Sequence, residues 1–391
     1  MSKIKRDTIK VSEIIQLIPD HLFAGLSEHT KVDFQVKKLY GRNVFYLLLY
    51  GLLKSERLGL RSLEDFYNSS SFKILFDIPE DNQTKYNSLS SRLATMNVEF
   101  FEKAYELIYE QFSELYDDLE SHKYKITRVD STMVCNTATK LEKGISVGSK
   151  KNGKKQLKYT VCLTNILPSS VELFNEQSHI SENLTIPKAI LKVIDKRQDN
   201  VFAFDRGVSS REIFCKLDDS DCVFVTRLKK DARYVPLMPF STTKGLKVGN
   251  LSVISDQMVN LYKSGDNVIE HPFRLLITEN EQGKRFLFLS NKLDIKAKDI
   301  VYIYKKRWDI EVFFRFIKQE LNFTHFISVS ENGIKIILYM TLILAMLILI
   351  YKKINEIGYK TAKRRFNIEL GDLLMALVVQ YCGGDPKLVF R

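Results

Sequence analysis

The sequence is poor in cysteine, and its cysteines form no recognisable metal-ligand or disulfide pattern. Five cysteines, an odd number, stand among 391 residues, together with six histidines. None belongs to a CxxC pair and none lies near a histidine cluster. The pattern argues against a disulfide framework and against a zinc site, and it favours a protein of the reducing cytoplasm.

Long apolar runs are nearly absent as well. The opening MSKIKRDTIKVSEIIQLIP has early charge but no uninterrupted apolar stretch, so we expect no signal peptide. One run, 336–351, is bracketed by Lys335 and Lys352. It is shorter than the roughly 18 residues of a typical spanning helix. We expect a buried core helix there and no membrane partner, with a membrane span as the less favoured alternative.

Acidic residues are the scarcer charge. The chain has 59 Lys or Arg against 47 Asp or Glu, a formal net charge of +12, and 45% of its residues are hydrophobic. The hydrophobic content fits a folded protein of two or three domains and makes a disordered chain unlikely as a class. The positive excess indicates a polyanionic partner, with nucleic acid as the leading candidate, although a solvated basic surface accounts for part of it.

The first 120 residues have a helical pattern, and we assign 1–120 to an α-helical N-terminal DNA-binding domain. Its segments RSLEDFYNSSSF and KYNSLSSRLATM, separated by the turn-rich PEDNQ, resemble a helix-turn-helix. In the second segment, Arg92 follows several small polar residues and is a candidate for contacts to DNA. A serine-rich helix start explains the same residues without DNA.

From residue 121 the pattern changes to strands. Three strands, a helix, a strand, a helix and a strand in 121–228 predict the first part of an α/β catalytic core, a mixed sheet with helices on its faces. The segment SKKNGKKQLK predicts a basic hairpin tip that lies along a phosphate backbone. Its candidate DNA-binding residues are Lys150, Lys151, Lys154 and Lys155.

Three further segments complete the predicted organisation. Residues 229–299 predict β-hairpins, an all-β insertion that interrupts the mixed sheet. Residues 300–353 form the second part of the core, and 354–391 form a C-terminal helical region that is a candidate for dimerisation. No internal repeat is found.

One predicted helix, 304–321, combines an apolar stripe with a polar seam. On a helical wheel, the apolar side chains fall within an arc of roughly 100°, typical of a core-facing stripe. The polar seam along one border consists of Tyr304, Arg307, Glu311 and Lys318. The carboxylate of such a seam can bind a metal while the cations hold phosphate oxygens. Ordinary ion pairs on a solvated helix face are the alternative.

Two aspartates at strand ends are candidate partners for this carboxylate. Asp130 follows KITRV, and Asp205 follows VFAF. Either aspartate alone is explained as a turn cap. Together with Glu311 they supply what two Mg²⁺ ions require, one bridging carboxylate and one more per metal. The constellation predicts phosphoryl-transfer chemistry.

The same residues carry a family resemblance. The pattern Tyr304-x2-Arg307-x3-Glu311-x6-Lys318 resembles the YREK signature of the DDE transposases of bacterial insertion-sequence family four, which are similar to cut-and-paste transposases of composite transposons. The match extends to VDST, FDRG and FVTRLKK. It covers about 57–380, and its N-terminal part is the less specific.

The resemblance implies an RNase H-like core in which Asp130, Asp205 and Glu311 hold two Mg²⁺ per active site, with Mn²⁺ as a substitute. It implies double-stranded DNA as partner, at the terminal inverted repeats and at the target. It also implies a homodimer in the synaptic complex, in the bacterial cytoplasm and associated with the nucleoid. The residues implied to contact DNA near the cleaved phosphate are Tyr304, Arg307, Lys318, Arg206 and Arg227.

The implied activity is hydrolysis of the DNA backbone by water, followed by attack of the freed 3′-OH on target DNA. Two alternatives remain open: a catalytically inactive DNA-binding derivative, and an RNase H-like nuclease without strand transfer. The insertion contains no tryptophan, the residue on which relatives that form a DNA hairpin stack a flipped base. Tyr234, Tyr262 and Phe273 are candidate stacking faces, and the hairpin intermediate is left open.

Overall fold

The computed structural model describes residues 8–117, 123–135, 141, 143–147, 154–194, 200–240, 245–321 and 323–388. The chain divides into two compact units. The helical unit comprises Met1–Ser121, Asn136–Glu142 and Arg315–Arg391, and the sheet unit comprises His122–Cys135 and Lys143–Phe314. The predicted segments 1–120 and 354–391 therefore belong to the same unit.

The helical unit begins with seven helices, in agreement with the helical pattern of the first 120 residues. They are α1 (Val11–Gln16), α2 (Asp20–Thr30), α3 (Gly41–Lys54), α4 (Leu60–Asn68), α5 (Ser70–Phe76), α6 (Tyr86–Thr95) and α7 (Glu99–Asp117). Near the C-terminus it adds α12 (Glu331–Ile354), α13 (Tyr359–Tyr381) and the 3-10 helix Pro386–Leu388. Its core contains many aromatic side chains, because α3, α5 and α7 each present several Phe or Tyr to it.

The long apolar run lies in α12. In the described part of the chain it is the one helix long and apolar enough to cross a membrane, which is weak evidence because core helices meet the same test. Of its apolar 18-residue stretch, 89% is buried inside the fold. It packs against α3, α6, α7 and α13. These contacts are those expected of a core helix.

The sheet unit contains eleven described strands in one sheet. They are β1 (Lys125–Cys135), β2 (Ile145–Val147), β3 (Lys154–Thr164), β4 (Leu167–Phe174), β5 (Asn200–Phe204), β6 (Phe224–Leu228), β7 (Tyr234–Pro239), β8 (Lys247–Val248), β9 (Leu251–Ser264), β10 (Asn267–Asn280) and β11 (Arg285–Ser290). The helices are α8 (Glu182–Val193), α9 (Arg211–Asp219), α10 (Ala297–Lys306) and α11 (Trp308–Glu320), with a 3-10 turn at Gln177–Ile180. The last helix, α11, passes from this unit into the helical one after Phe314.

The strands run β2-β3-β1-β5-β6-β11-β10-β9-β7, with β4 paired to β3 and β8 paired to β9. The pairs β1–β5 and β5–β6 are parallel and the other pairs are antiparallel. A mixed sheet with helices is therefore confirmed. The described strands β7 to β11 lie in the region 229–299, in which α10 begins at Ala297, and β11 pairs with β6, so that these strands extend the sheet of the core.

The centre of the sheet is covered on both faces. Every residue of β5 is buried, because alternate side chains enter different clusters. Phe202 and Phe204 pack with α8 and α9, whereas Val201 and Ala203 pack with α10. This arrangement brings α10 across β5 and β6, next to the ends of the parallel strands.

Candidate active site

The parallel register of β1 and β5 brings two predicted aspartates together. Val129 of β1 is paired with Phe204 of β5. Asp130 is the next residue along β1, in the middle of that strand and not at its end as predicted, whereas Asp205 directly follows the last residue of β5, so the two carboxylates lie on neighbouring strands where β5 ends. Burial raises the pKa of Asp130, and the negative charge of Asp205 acts in the same direction. The sheet therefore supplies a paired-carboxylate site from residues distant in the sequence.

Asp205 is held as an anion by donors on two sides. Burial opposes ionisation, but the backbone N–H of Arg206, the Tyr304 hydroxyl and the positive charges of Arg307 and Arg227 together lower the pKa of Asp205 below its usual range. The Tyr304 hydroxyl donates to Asp205 Oδ1 at 2.8 Å. The carboxylate is therefore charged and oriented at neutral pH.

Asp130 is in the opposite electrostatic situation. Burial raises the pKa of its carboxyl to about 6, and the negative charges of Glu182 and Asp205 act in the same direction. The backbone N–H of Ser131, which donates to Asp130 Oδ1 at 2.8 Å, and the charge of Arg307 offset only part of this. The hydrogen bond from Ser131 and the positive charge of Arg307 therefore balance only part of the negative charge of Asp130.

The predicted 304–321 helix is divided at Arg307, where α10 ends and α11 begins. Arg307 N–H donates to the Tyr304 carbonyl at 3.0 Å, and Ile310 N–H donates to the Arg307 carbonyl at 3.3 Å. These three-residue spacings tighten the turn, as in a 3-10 helix. Tyr304 thus lies on α10, while Glu311 and Lys318 lie on α11.

A buried arginine on β1 fixes this junction against the sheet. Arg128, 4% exposed, donates through Nε to the Lys306 carbonyl at 3.2 Å. Its Nη2 pairs with Asp309 Oδ2 at 2.9 Å. Lys306 and Asp309 lie on either side of Arg307 in the sequence. The strand that carries Asp130 therefore also holds the backbone around Arg307 in place.

Arg307 is the cation common to all three predicted carboxylates. It pairs with Glu311, from Nη2 to Oε1, at 2.6 Å, and its charge acts on both Asp130 and Asp205. Burial lowers the pKa of Arg307, but the hydrogen bond to Glu311 and the nearby Tyr304 and Asp205 raise it by more. The pKa is therefore above its usual value, and the guanidinium is charged. Its buried Nε has no hydrogen-bond partner among the described residues. An unsatisfied buried donor is costly, and an anionic ligand would satisfy it.

The Tyr304 ring lies between two arginines. The guanidinium carbons of Arg227 and Arg307 are each 5.7 Å from its centroid. Burial and the negative charge of Asp205 raise the pKa of Tyr304 to about 12, so the hydroxyl keeps its proton and acts as a donor. The aromatic ring holds both cations near the aspartates.

The apolar stripe predicted for 304–321 is buried as expected, with every member at most 6% exposed: Ile310, Phe313, Phe314, Ile317 and Leu321. Packing of this stripe fixes the rotation of α11 and hence the direction of Glu311. Lys318 lies two helical turns beyond Glu311 on α11.

The acids available for a hard cation are oxygen donors of the kind that Mg²⁺ prefers. Within the described ranges, no three Asp, Glu, His or Cys side chains are gathered closely enough to hold a metal ion. Asp205 accepts a hydrogen bond from Tyr304, and Glu311 is paired with Arg307. Asp130, by contrast, is a buried acid that lacks full compensation. The three carboxylates can bind a divalent cation if Glu311 breaks its ion pair with Arg307 and binds the cation instead.

The other predicted DNA-binding residues of the sheet unit are Arg206 and four lysines. Arg206 is exposed in the turn after Asp205, and Lys155 is half-buried in β3, which begins at Lys154. Lys150 and Lys151 lie outside the described residues.

Arg92 is engaged within the helical unit. Its Nε donates to the Leu39 carbonyl at 3.0 Å, and its Nη2 donates to the Val32 carbonyl at 2.6 Å. Asp33 lies 3.5 Å from the guanidinium, whose side chain is 15% exposed. These bonds stabilise the helical unit, and a contact of Arg92 with DNA stays a prediction.

Two charged residues beside Asp130 were missed from the sequence. Glu182, in the first turn of α8, raises the pKa of Asp130. Lys158 of β3 is 3% exposed, and its ammonium interacts with both acids. No motif marks them, because Glu182 resembles an ordinary first-turn acid and Lys158 one lysine of a basic strand. Only the packing of α8 on β1 and β3 reveals the group.

The chain belongs to the transposase DDE domain family, whose model matches residues 121–347. Asp130, Asp205 and Glu311 all lie within the matched range. The family membership agrees with the resemblance inferred from the YREK pattern.

Three relatives are also named as transposases. The y4zB protein of Sinorhizobium fredii is 28% identical over 156 residues, 40% of this chain and 44% of that protein. A protein of insertion sequence element IS5377 from Geobacillus stearothermophilus is 26% identical over 156 residues, 40% of this chain and 37% of that one. A protein of element IS4SA from Synechocystis is 31% identical over 161 residues, 39% of this chain and 41% of that one. The chain thus spans about two fifths of the length of these relatives.

Among solved structures, the piggyBac transposase synaptic complex with hairpin DNA aligns with 96% of this chain and 82% of that chain. The TM-score is 0.48 and the identity is 10%.

Proposed function

We propose that this protein is a DNA transposase that binds the terminal inverted repeats of an insertion sequence and catalyses metal-dependent cleavage and strand transfer. The observation that carries the proposal is the proximity of Asp130, within β1, to Asp205, directly after β5, with Arg307 interacting with both and paired with Glu311. Membership of the transposase DDE domain family supports it. We assign the catalytic sheet to the RNase H-like class, in agreement with its mixed topology.

In this proposal, Asp130, Asp205 and Glu311 hold two Mg²⁺ ions, with Mn²⁺ as a substitute. The ions would supply charge neutralisation at the attacking and leaving oxygens of the phosphodiester. The protein supplies position and polarity: the Tyr304 hydrogen bond orients Asp205, and the strand register sets the distance between the aspartates. Phosphodiester transfer needs in-line placement and charge stabilisation more than a protein nucleophile.

The cations of the site would hold the DNA strand. Arg307 has the buried, unpartnered Nε that a phosphate oxygen would satisfy, and release from Glu311 would make its whole planar fork available. The Arg227 guanidinium lies over the Tyr304 ring, 5.7 Å from its centroid, and would add a second cation. Lys318, Arg206 and the lysines of the basic hairpin, of which Lys154 and Lys155 lie in β3, extend the cationic surface in this proposal.

Double-stranded DNA is the proposed partner, and the proposed working assembly is a homodimer on paired element ends. The proposed location is the bacterial cytoplasm, in association with the nucleoid. Both follow from the activity, because joining two ends requires two active sites on chromosomal DNA.

The test is cleavage of a labelled duplex that carries the element end, with Mg²⁺ or with EDTA. We expect Mg²⁺-dependent release of a 3′-OH end by the wild type. We expect its loss in Asp205→Asn and Glu311→Gln, with DNA binding retained. The control is Glu281→Gln, which removes an exposed acid in the β10–β11 turn and should cleave like the wild type.

The alternatives give different results in the same assay. Full cleavage by Asp205→Asn would overturn the proposed site. Metal-independent binding without nicking by the wild type would favour the inactive DNA-binding derivative. Cleavage without joining of the ends to target DNA would favour a nuclease of the same fold.

A further inference from the structure

A fourth acid, Glu182, lies near Asp130. Glu182 lies in the first turn of α8, which packs on β1 and β3. Its carboxylate lies against Gly207, two residues after Asp205, so closely that a Cβ at Gly207 would overlap it. It is also near enough to Asp130 for its charge to raise the pKa of that residue. Glu182 therefore lies near Asp130 and against the backbone of the turn that follows Asp205.

The carboxylate of Glu182 has no hydrogen-bond donor among the residues that the structure describes. Its charge is offset from a distance by Lys158, a lysine that is 3% exposed and whose Nζ donates to the Ile180 carbonyl at 3.0 Å. Burial lowers the pKa of Lys158, while Glu182 and Asp130 oppose that effect. Two acids held side by side are unfavourable unless a cation lies between them.

Resting on the proposed function, we infer that Glu182 is a fourth carboxylate of the divalent-cation site, on the Asp130 side, and that Lys158 is the cation that keeps these two acids together. The glycine at 207 has a specific reason in this arrangement, since any side chain there would displace the Glu182 carboxylate. A ligand from α8 would tie the helix to the metal as well as to the sheet.

The experiment measures Mn²⁺ binding to the full-length protein by calorimetry without DNA, and Mg²⁺-dependent cleavage in parallel. Glu182→Gln should weaken Mn²⁺ binding about tenfold, within the range found when groups near a metal are replaced. Its cleavage should recover as Mg²⁺ is raised. The matched control is Glu176→Gln, an acid six residues upstream whose side chain is 73% exposed, which should bind Mn²⁺ as the wild type does.

Gly207→Ala provides a second perturbation that moves the Glu182 carboxylate without removing it. It should weaken Mn²⁺ binding by a similar factor, and the double variant with Glu182→Gln should be no weaker than either single variant. Glu182→Asp should restore part of the affinity. If Glu182 only supported the fold, keeping its negative charge in Glu182→Asp would not restore Mn²⁺ binding. These results therefore distinguish a metal ligand from a structural residue.

Two outcomes would overturn the inference. If the wild type cleaves DNA while Glu182→Gln and Glu176→Gln bind Mn²⁺ equally well, the fourth carboxylate is wrong and the proposed function stands. If the wild type neither binds Mn²⁺ nor cleaves, and Glu311→Gln behaves identically, the proposed function and the inference are both wrong.

Discussion

The Tyr304 hydroxyl donates a hydrogen bond to Asp205 Oδ1 at 2.8 Å, and this bond joins α10 to the end of β5. The two residues are separated by most of the β-rich region, yet one orients the other. The bond favours the charged form of Asp205 and orients its carboxylate.

Removing this hydroxyl tests how much the bond contributes. Tyr304→Phe should reduce cleavage about 10-fold to 100-fold, as expected for loss of a group that orients a metal ligand, and should raise the pKa of Asp205. The measurement is the initial cleavage rate against Mg²⁺ concentration. Tyr302→Phe, on the same helix but 37% exposed, is the control. Equal rates for both variants would show that the bond has no role in the reaction.

Arg307 should stabilise the protein in the absence of metal and compete with the metal. Arg307→Gln leaves buried or half-buried acids without their common cation, so we expect a loss of about 3 kcal/mol in the free energy of unfolding in EDTA at pH 7.5. Mn²⁺ should then stabilise the variant more than the wild type, because binding to the folded state alone shifts unfolding. Urea unfolding with and without Mn²⁺ measures both effects.

The control for Arg307 lies on the same helix. Arg315 is exposed on α11, and Arg315→Gln should change the unfolding free energy by less than about 0.5 kcal/mol. If Mn²⁺ stabilises both variants only as much as it stabilises the wild type, Arg307 does not compete with the metal for the same carboxylates.

Asp130 should make the stability of the metal-free protein depend on pH. Its folded-state pKa of about 6 exceeds the ordinary value of 3.8, so the folded chain binds this proton more tightly than the unfolded chain does. The resulting loss of folding stability is absent below pH 3.8, grows as the pH rises toward 6 and reaches its full size above pH 6. Asp130→Asn removes it, and should stabilise the protein by up to about 3 kcal/mol above pH 6, from the roughly two-unit shift.

Unfolding in EDTA at pH 4.0 and at pH 7.5 measures this pH dependence. The stabilising effect of Asp130→Asn should be large at the higher pH and small at the lower. Asp266→Asn is the control, because that side chain is 94% exposed and should show no such difference. If Asp130→Asn is less stable than the wild type at pH 7.5, the negative charge of Asp130 does not destabilise the metal-free protein and the prediction is wrong.

Arg92 should contribute to the stability of the helical unit. Arg92→Gln removes donors to the Val32 and Leu39 carbonyls, and we expect a loss of about 2 kcal/mol in unfolding free energy. Arg61→Gln, an exposed arginine on α4, is the control. DNA binding should be corrected for the folded fraction. Unchanged stability together with lost discrimination between element ends and other DNA would instead establish the predicted base contact.

Much of the fold follows from local patterns. The short apolar run VFAF predicted the buried strand β5, and the apolar spacing of 304–321 predicted the buried face of α11, because both patterns depend only on which sides of an element are covered. The break at Arg307 was not predicted. It results from three-residue hydrogen bonds and from the hold of Arg128 on both sides of the junction, and neither feature has a signal in the residues themselves.

The sequence by itself determined the acids and cations of the candidate site, since the spacing of Tyr304, Arg307, Glu311 and Lys318 is a local property that identifies the family. Only the tertiary structure decided which charges meet. The parallel pairing of β1 with β5 sets Asp130 beside Asp205, and the packing of α8 adds Glu182 and Lys158, which no motif distinguishes. The physical reason is that charge interactions depend on distance and burial, and both are created when distant segments pack together.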